Sequence, residues 1–376
     1  MLIIGISAYY HDSASCILRD GEIIYSLHEE RLTRIKHDKE FPRESIKLGL
    51  EKNKITFDQI DYIVFFDKPF LKFERLLETY VYYSPFKGFE SFKKSIPIWI
   101  KEKLFQKDLI LKELSQILKN PGIEKLSKKL IFSEHHLSHA ASAFYPSNFQ
   151  NSAIITMDGV GEWSTTTFGI GEKNKIKILN ELKYPHSLGL LYSAFTYFLG
   201  FEVNSGEYKL MGLAPFGNPK YYDLILEKLI KIKEDGSFYL NQKYFNYSVG
   251  LTMTNSKFSK LFNLKRRDSS EKIEQIHMDI AASIQKVIEF VIIKICKHVK
   301  KITKMKNLCL SGGVALNCVA NYKIGLEKIF DQIWVQPASG DAGSSIGSAM
   351  YLYYHILGKE RNIEENGNKM KGSYLG

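Results

Sequence analysis

Cysteine is scarce in this chain: there are four, Cys16, Cys296, Cys309 and Cys318, and none stands in a CxxC pair. Each falls in a stretch expected to be strand or helix, so reduced, buried thiols in a cytoplasmic protein are expected. Long apolar runs are also missing. None reaches the ~20 residues that a membrane-spanning helix needs, so no membrane partner is expected. The apolar start Met1-Leu2-Ile3-Ile4-Gly5-Ile6 lacks a basic beginning and a cleavage site. It reads as a buried strand, not a signal peptide. Acidic excess is absent too: 52 Lys and Arg outweigh 41 Asp and Glu, for a net charge of +11. The positive charges are spread out. Those between Lys294 and Lys306 form the solvated face of a long amphipathic helix, opposite Ile292, Ile295, Val299 and Ile302. That distribution argues against nucleic acid and suits small anionic substrates such as ATP.

What remains is an ordinary globular composition, 44% apolar and 25% charged, over 376 residues, which is room for two lobes. The opening reads as a three-strand meander: strands at 2–7, 13–18 and 22–28, the last two joined by the Asp20-Gly21 turn. Later strands are expected at 61–66 and 129–133, and a helix at 43–53 behind Pro42. Residues 70–128 are rich in Lys and aromatics and carry helical patches at 71–83, 89–105 and 109–119. They read as a helical insertion without a chemical motif. The opening pattern then recurs, with strands at 152–157, 163–170 and 176–182, the last two joined by a turn at 171–174. This is an internal duplication of architecture. Helices are expected at 188–200, 219–233, 271–301, 314–326 and 344–357, strands at 307–310 and 331–335, and an irregular aromatic region at 241–268. The division that follows is a first lobe over 1–150, a second over 151–358 with its final helix packed back on the first, and a polar linker over 359–376.

Seven stretches carry chemistry. His135 and His139, in Glu134-His135-His136-Leu137-Ser138-His139, share one helix face and suit two nitrogen ligands on one transition metal. Asp158 or Asp341 would complete a nitrogen-plus-oxygen set, which fits iron, manganese or zinc better than magnesium. His136 faces elsewhere on the helix. Asp158-Gly159-Val160-Gly161-Glu162 is a glycine-rich acidic turn of the kind that holds a polyphosphate and its metal. Its counterpart in the first meander is Ala8-Tyr9-Tyr10-His11-Asp12-Ser13-Ala14. Ser311-Gly312-Gly313-Val314-Ala315-Leu316-Asn317 and Ser339-Gly340-Asp341-Ala342-Gly343 each follow a strand and precede a helix. Adjacent turns of this kind mark one crevice, with Ser311, Gly312, Gly313, Asn317, Gly340 and Gly343 beside Gly159 and Gly161 as nucleotide-binding positions. Glu207 and Lys209 mark a substrate-cleft loop within 205–217, and the charged stretch 29–37 reads either as a solvated surface loop or, through Arg31, Arg34 and Lys36, as a site for an anionic substrate.

Taken together these stretches resemble the nodulation/cephamycin/tobramycin type O-carbamoyltransferase family. The matching segments are 5–15 with His11-Asp12, 29–37 followed by Phe41-Pro42, 134–144, 157–163, 206–217, 311–317 and 339–347, in family order. The resemblance implies a duplicated α/β fold like that of actin, the heat-shock chaperone ATPases and sugar kinases, similar to the threonylcarbamoyl transferases that modify tRNA. It implies that His135, His139 and Asp341 are metal ligands with Asp158 as the fourth, with iron the first expectation. It also implies ATP, with its magnesium, and carbamoyl-adenylate in the glycine-turn cleft. His11, with Asp12, would act at the carbamoyl group. Family members continue into a YrdC-like domain that makes carbamoyl-adenylate from carbamoyl phosphate and ATP, so a partner domain in cis or in trans is expected.

The expected activity is carbamoyl transfer to the hydroxyl of a sugar or other natural product, with a homodimer left open. Two other readings stand: a tRNA threonylcarbamoyl transferase, and a nucleotide-binding module inactive without a partner domain. A sugar kinase fits less well, because kinases of this fold use magnesium and need no histidine pair.

Overall fold

A computed structural model describes residues 1–83, 88–100, 104–363 and 370–376. Two five-stranded sheets are built on one plan. The first has β1 (Leu2–Ser7), β2 (Ala14–Arg19), β3 (Glu22–His28), β4 (Tyr62–Phe65) and β5 (Leu130–Phe132), in the order β3-β2-β1-β4-β5. The second begins with β6 (Asn151–Met157), β7 (Ser164–Glu172) and β8 (Lys175–Lys183). A small hairpin of β9 (Ile230–Ile232) and β10 (Phe238–Leu240) stands apart, and β11 (Asn307–Ser311) and β12 (Gln332–Val335) complete the second sheet as β8-β7-β6-β11-β12. In each sheet a meander runs antiparallel and two further strands add in parallel on the far side of the first strand. The duplicated α/β fold read from the repeated meander is therefore the fold observed. The Asp20-Gly21 turn has both residues at positive φ (51° and 85°), the requirement of a tight two-residue hairpin.

Strand alternation divides the core into three layers. In β1, Leu2, Ile4 and Ile6 face a cluster with Ile46 and Leu50 of the helix Arg43–Lys52 and Leu111 and Leu114 of the helix Gln106–Ile117. Ile3 faces the opposite way, into a cluster shared with Ile154 of β6 and Cys309 of β11. The remaining face of the second sheet, Ala153, Ile155, Met157, Leu308 and Leu310, packs on the helices Leu188–Phe198 and Gln275–Thr303. The shared middle layer holds the helices His135–Phe144 and Ser344–Met350. A Cβ on Gly5 would collide with the Ser345 carbonyl, and one on Gly347 with the Ser138 carbonyl. Glycine at these positions lets the Ser344–Met350 helix lie directly on β1 and on the histidine helix.

Several elements differ from expectation. The helix expected at 219–233 stops at Lys228, because Ile230 and Ile232 alternate with Lys231 and pair with β10, burying Ile230, Phe238 and Leu240. The helix expected at 314–326 is a short turn, Gly313–Leu316, followed by a helix Cys318–Leu326. Asn317 breaks it by capping the second part, its side chain accepting from the Ala320 N–H at 3.0 Å. The 205–217 loop contains a helix, Glu207–Leu213. A helix Ile123–Lys129 precedes β5, and a helix Ser256–Phe262, capped by Asn255, orders the 241–268 region around buried Phe258. Cys318 is exposed, whereas the other three cysteines are buried. The expected patch at 89–105 is a helix over Phe89–Trp99, and residues 101–103 lie outside the described ones. Of 359–376, residues 364–369 also lie outside. The flanking residues are docked: Arg361 is buried and donates to the carbonyls of Phe144, Tyr145, Ser147, Phe149 and Lys173. The Leu375 carbonyl accepts from the Ser26 N–H of β3 at 2.9 Å. Among the described residues no helix is long and apolar enough to cross a membrane.

Candidate metal centre and cleft

The histidine helix starts three residues beyond β5, and its first turn is held by Glu162. That carboxylate accepts from the His135 N–H (3.0 and 3.2 Å) and from the Lys68 N–H (2.9 Å). With the helix so fixed, the i,i+4 spacing brings His135 Nε2 and His139 Nε2 to 3.1 Å. Asp158 follows β6 directly. The Gly313 N–H occupies its Oδ1 at 3.0 Å, and Oδ2 faces His135 Nε2 at 2.9 Å and His139 Nε2 at 3.8 Å. Asp341 opens the turn before the Ser344–Met350 helix, with Oδ1 at 3.4 Å from His139 Nε2 and 3.7 Å from His135 Nε2. One ligand atom from each of the four residues lies within 4.8 Å of the others. Ser344 Oγ, 3.1 Å from His139 Nδ1, orients that ring from behind.

Asp341 is 0% exposed, and neither of its oxygens has a hydrogen-bond partner. A buried carboxylate without donors is costly, and a cation at the centre of the cluster satisfies it. Two nitrogens and two carboxylates match a transition metal, so the residues fit the expected set. His136 does not join it. Its Nδ1 meets Thr156 Oγ1 at 2.6 Å and its Nε2 the Ser164 carbonyl at 2.8 Å. Burial, with the neighbouring imidazoles, brings its pKa down to about 3, so it is a neutral structural ring. In the metal-free protein, burial opposes protonation of His139, but the negative Asp158 and Asp341 carboxylates facing its Nε2 overcome it and raise the pKa to about 9. Burial works against ionisation of Asp341 as well, yet the nearby His11, His135 and His139 rings bring it down to about 2.

His11 stands at the edge of the cluster, its Nε2 3.8 Å from Asp341 Oδ2. Its Nδ1 lies 2.8 Å from Asp12 Oδ2, and the other oxygen of Asp12 lies 2.7 Å from His37 Nδ1. The turn carrying His11 is tied to the loop after β3 by the Tyr9 N–H to Lys39 carbonyl and Ser13 N–H to Asp38 carbonyl bonds, both 2.8 Å. The result is one carboxylate between two imidazoles. Burial lowers the His11 pKa, but Asp341 and Asp12 outweigh it and raise the value to about 9.

A cleft opens from the cluster between the sheets. Its lining includes His11, Asp12, Asp158, Gly159, Glu207, Gly313, Asn317 and Gly340. A Cβ at Gly159 would meet nothing within 4 Å and one at Gly340 only the Leu316 side chain at 3.7 Å, so both positions leave room for a ligand's approach. Asn317 is held by Gln285 (2.9 and 3.1 Å), and Glu207 accepts from Ser193 Oγ at 2.7 Å. Of the other expected nucleotide positions, Ser311, Gly312, Gly161 and Gly343 lie off the lining, and Gly313 is on it with its N–H turned to Asp158. Ser311 Oγ is engaged with Ser142 Oγ at 3.0 Å, the Gly312 N–H with the Ser339 carbonyl at 2.8 Å, and the Gly313 N–H with Asp158. Those amides join the two glycine turns to each other and to Asp158, so they are not free for phosphate. Gly161 packs on His135 and His136, and Gly343 on the Ala338 carbonyl. Arg31, Arg34 and Lys209 are exposed and outside the lining. Lys36 reaches across the mouth of the cleft to Tyr208, Nζ to hydroxyl 3.4 Å.

Sequence reasoning did not assign His37, Glu162 or Ser344, though each sits inside a stretch it had marked. Tyr10 and Gly189, also on the lining, had no separate signal.

Residues 2–350 match the family model described as carbamoyltransferase N-terminus. An uncharacterized protein of Synechocystis is 51% identical over 374 residues, covering 100% of this chain and 60% of that protein. The nodulation protein NolNO of Sinorhizobium fredii is 34% identical over 351 residues, covering 92% of this chain and 47% of its own length. The chain thus spans about half to three-fifths of these relatives. Among solved structures, HypF of T. kodakarensis aligns over 95% of this chain and 48% of that one, at 14% identity and a TM-score of 0.47.

Proposed function

The chain belongs to the carbamoyltransferase family through its N-terminal domain, and from that premise we propose that it is the transfer half of an O-carbamoyltransferase. It takes carbamoyl-adenylate, made from carbamoyl phosphate and ATP by a YrdC-like domain, and delivers the carbamoyl group to a hydroxyl of a sugar or related natural product. The observation that carries this reading is the buried, donor-free Asp341 in a cluster with His135, His139 and Asp158, at the end of a cleft that His11 also lines. A metal bound there, iron first among the options, would act as a Lewis acid toward the carbamoyl carbonyl or a phosphate oxygen.

The chain's own residues supply the rest. Asp12 orients the His11 ring and leaves its Nε2 directed at the cluster. As the acceptor oxygen attacks the carbamoyl carbon, the neutral form of His11, whose share grows as pH rises toward about 9, takes the hydroxyl proton at Nε2. The bond from carbon to the phosphate oxygen breaks, and AMP leaves with that electron pair. Gly159 and Gly340 leave room for the nucleotide, while Asn317 and Glu207 offer polar groups to it or to the acceptor.

The test is acceptor-dependent AMP release, with carbamoyl-adenylate generated by a separate adenylating protein. The expected result is carbamoylated polyol and AMP in equal amounts, and a His11→Asn variant that keeps its metal but is slower by ~10²–10⁴-fold. AMP release without transferred carbamoyl would sink the reading. Tight tRNA binding with a steep salt slope would favour the threonylcarbamoyl reading instead.

A further inference from the structure

The helical insertion has no chemical motif in its sequence, yet its helix Pro69–Tyr83 buries two cations, Lys72 and Arg75, at 7% and 8% exposure. They are one turn apart and face the same way. Lys72 is paired with buried Asp67, and its ammonium stands 5.3 Å from the Phe66 ring centroid and 5.9 Å from that of Tyr10. Arg75 has no such partner. Among the described residues its guanidinium makes no ion pair and no hydrogen bond, and its Nε is buried without an acceptor. Its close contact is the face of Tyr184, 5.0 Å away. Glu162, the carboxylate whose charge reaches it, is already engaged by the His135 and Lys68 N–H groups.

Tyr10 links this pair to the reaction centre. It lines the cleft, its ring lies 4.6 Å from that of His11, and the charges of Asp158, Asp341, Lys72 and Arg75 all act on its hydroxyl. Lys72 cancels Asp67, so the residual charge behind Tyr10 is that of Arg75. An arginine cannot shed this charge by deprotonating. A buried cation with no counter-ion is destabilising unless a ligand supplies the anion. We propose that Arg75, one turn from a Lys72 already paired with Asp67, forms an oxyanion subsite behind Tyr10, which takes a phosphoryl or carboxylate group of a substrate bound at the cluster. The planar fork of Arg75 suits two oxygens of such a group. This inference deepens the reading above, on which it rests for the position of the reaction centre.

The experiment is thermal unfolding of the metal-loaded protein with inorganic phosphate and, separately, malonate. Either anion is expected to raise the melting temperature of the wild type. Arg75→Met removes that response, while the anion-free protein melts at the same temperature or higher, because an uncompensated charge has gone. Arg75→Gln serves as the second variant should Arg75→Met not fold, and Arg75→Lys, which returns a charge without the fork, restores part of the response. Suppression of the phosphate response by AMP assigns the oxyanion to the donor's phosphoryl group. A malonate response that persists with AMP bound assigns it to an acceptor carboxylate. No response in the wild type, or an equal one in Arg75→Met and Arg75→Gln, overturns the proposal. An Arg75-dependent response without carbamoyl transfer would remove the proposed function and keep the subsite; transfer with an Arg75-independent response would do the reverse.

Discussion

Removing the His139 imidazole takes one of two nitrogen donors from the cluster and leaves the Asp341 carboxylate with less to hold it. His139→Ala is expected to lose metal by more than the ~10–100-fold typical of losing an outer hydrogen-bond partner. Ser344→Ala removes such an outer partner, the hydroxyl 3.1 Å from His139 Nδ1, and is expected to fall within that ~10–100-fold range. Competition against a chromogenic chelator measures both; unchanged affinity in Ser344→Ala would assign that hydroxyl to packing alone. The same residues set a pH dependence. His139 is raised to about 9 in the metal-free protein, so metal must displace its proton. Apparent affinity is expected to climb as pH rises toward 9, by at most ~10-fold per unit for one proton. The stability from protonated His139 is fully present below the unfolded value of 6.5 and is lost as pH rises through about 9. The melting temperature of metal-free protein should therefore drop over that window, and saturating metal should shrink the drop. A flat metal-free profile would show that His139 is not protonated in the cluster.

At the scale of elements, the site depends on how closely two helices approach. The Ser344–Met350 helix meets the histidine helix at Gly347 and β1 at Gly5, where any side chain would collide with backbone. Gly347→Ala is expected to cost ~1–3 kcal/mol in denaturant unfolding, as overpacking does. It should also weaken metal binding, because the same shift moves Asp341 away from His139. A variant with normal affinity and reduced stability would mean that the turn at Asp341 adjusts independently of the helix. Element boundaries are also where sequence reading fell short. Strands with period-two alternation and a turn signal, such as β1 to β3, were legible. Asn317 was read as part of a helix because a capping residue and an internal one look alike until the Ala320 amide is seen on its side chain. The β9–β10 hairpin was hidden because Ile230 and Ile232 also fit a helix, and only their pairing with β10 decides.

At the scale of the molecule, the cluster takes residues from both halves of the duplication. His135 and His139 follow the first sheet, Asp158 follows β6, and Asp341 follows β12. A metal bound to all four ties the halves together. Its removal by chelation should cost about 2.7 kcal/mol relative to metal at 100 times its dissociation constant. Amide exchange should speed up in His135–Phe144 and Ser344–Met350 together. Unchanged exchange in both helices would show that packing alone joins the halves. The tail contributes separately, through the Arg361 bonds to carbonyls around the end of the histidine helix.

The sequence by itself determined the doubled meander, the glycine-rich turns and the His135–His139 pair, because alternation, turn chemistry and i,i+4 spacing are local properties; Asp158 and Asp341 were joined to that pair as a set of four by the family resemblance, and the tertiary structure is what brings all four side chains together. Tertiary structure alone decided which of those turns face the cleft. Gly312 and Gly313 look like free amides in sequence, but their N–H groups are taken by the Ser339 carbonyl and Asp158. It also decided that Arg75 is buried. A basic residue on an amphipathic helix reads as solvated, and nothing local records that Tyr184, far away in the chain, lies against it. Burial and the loss of a counter-ion are properties of the assembled neighbours, and no stretch of chain carries them alone.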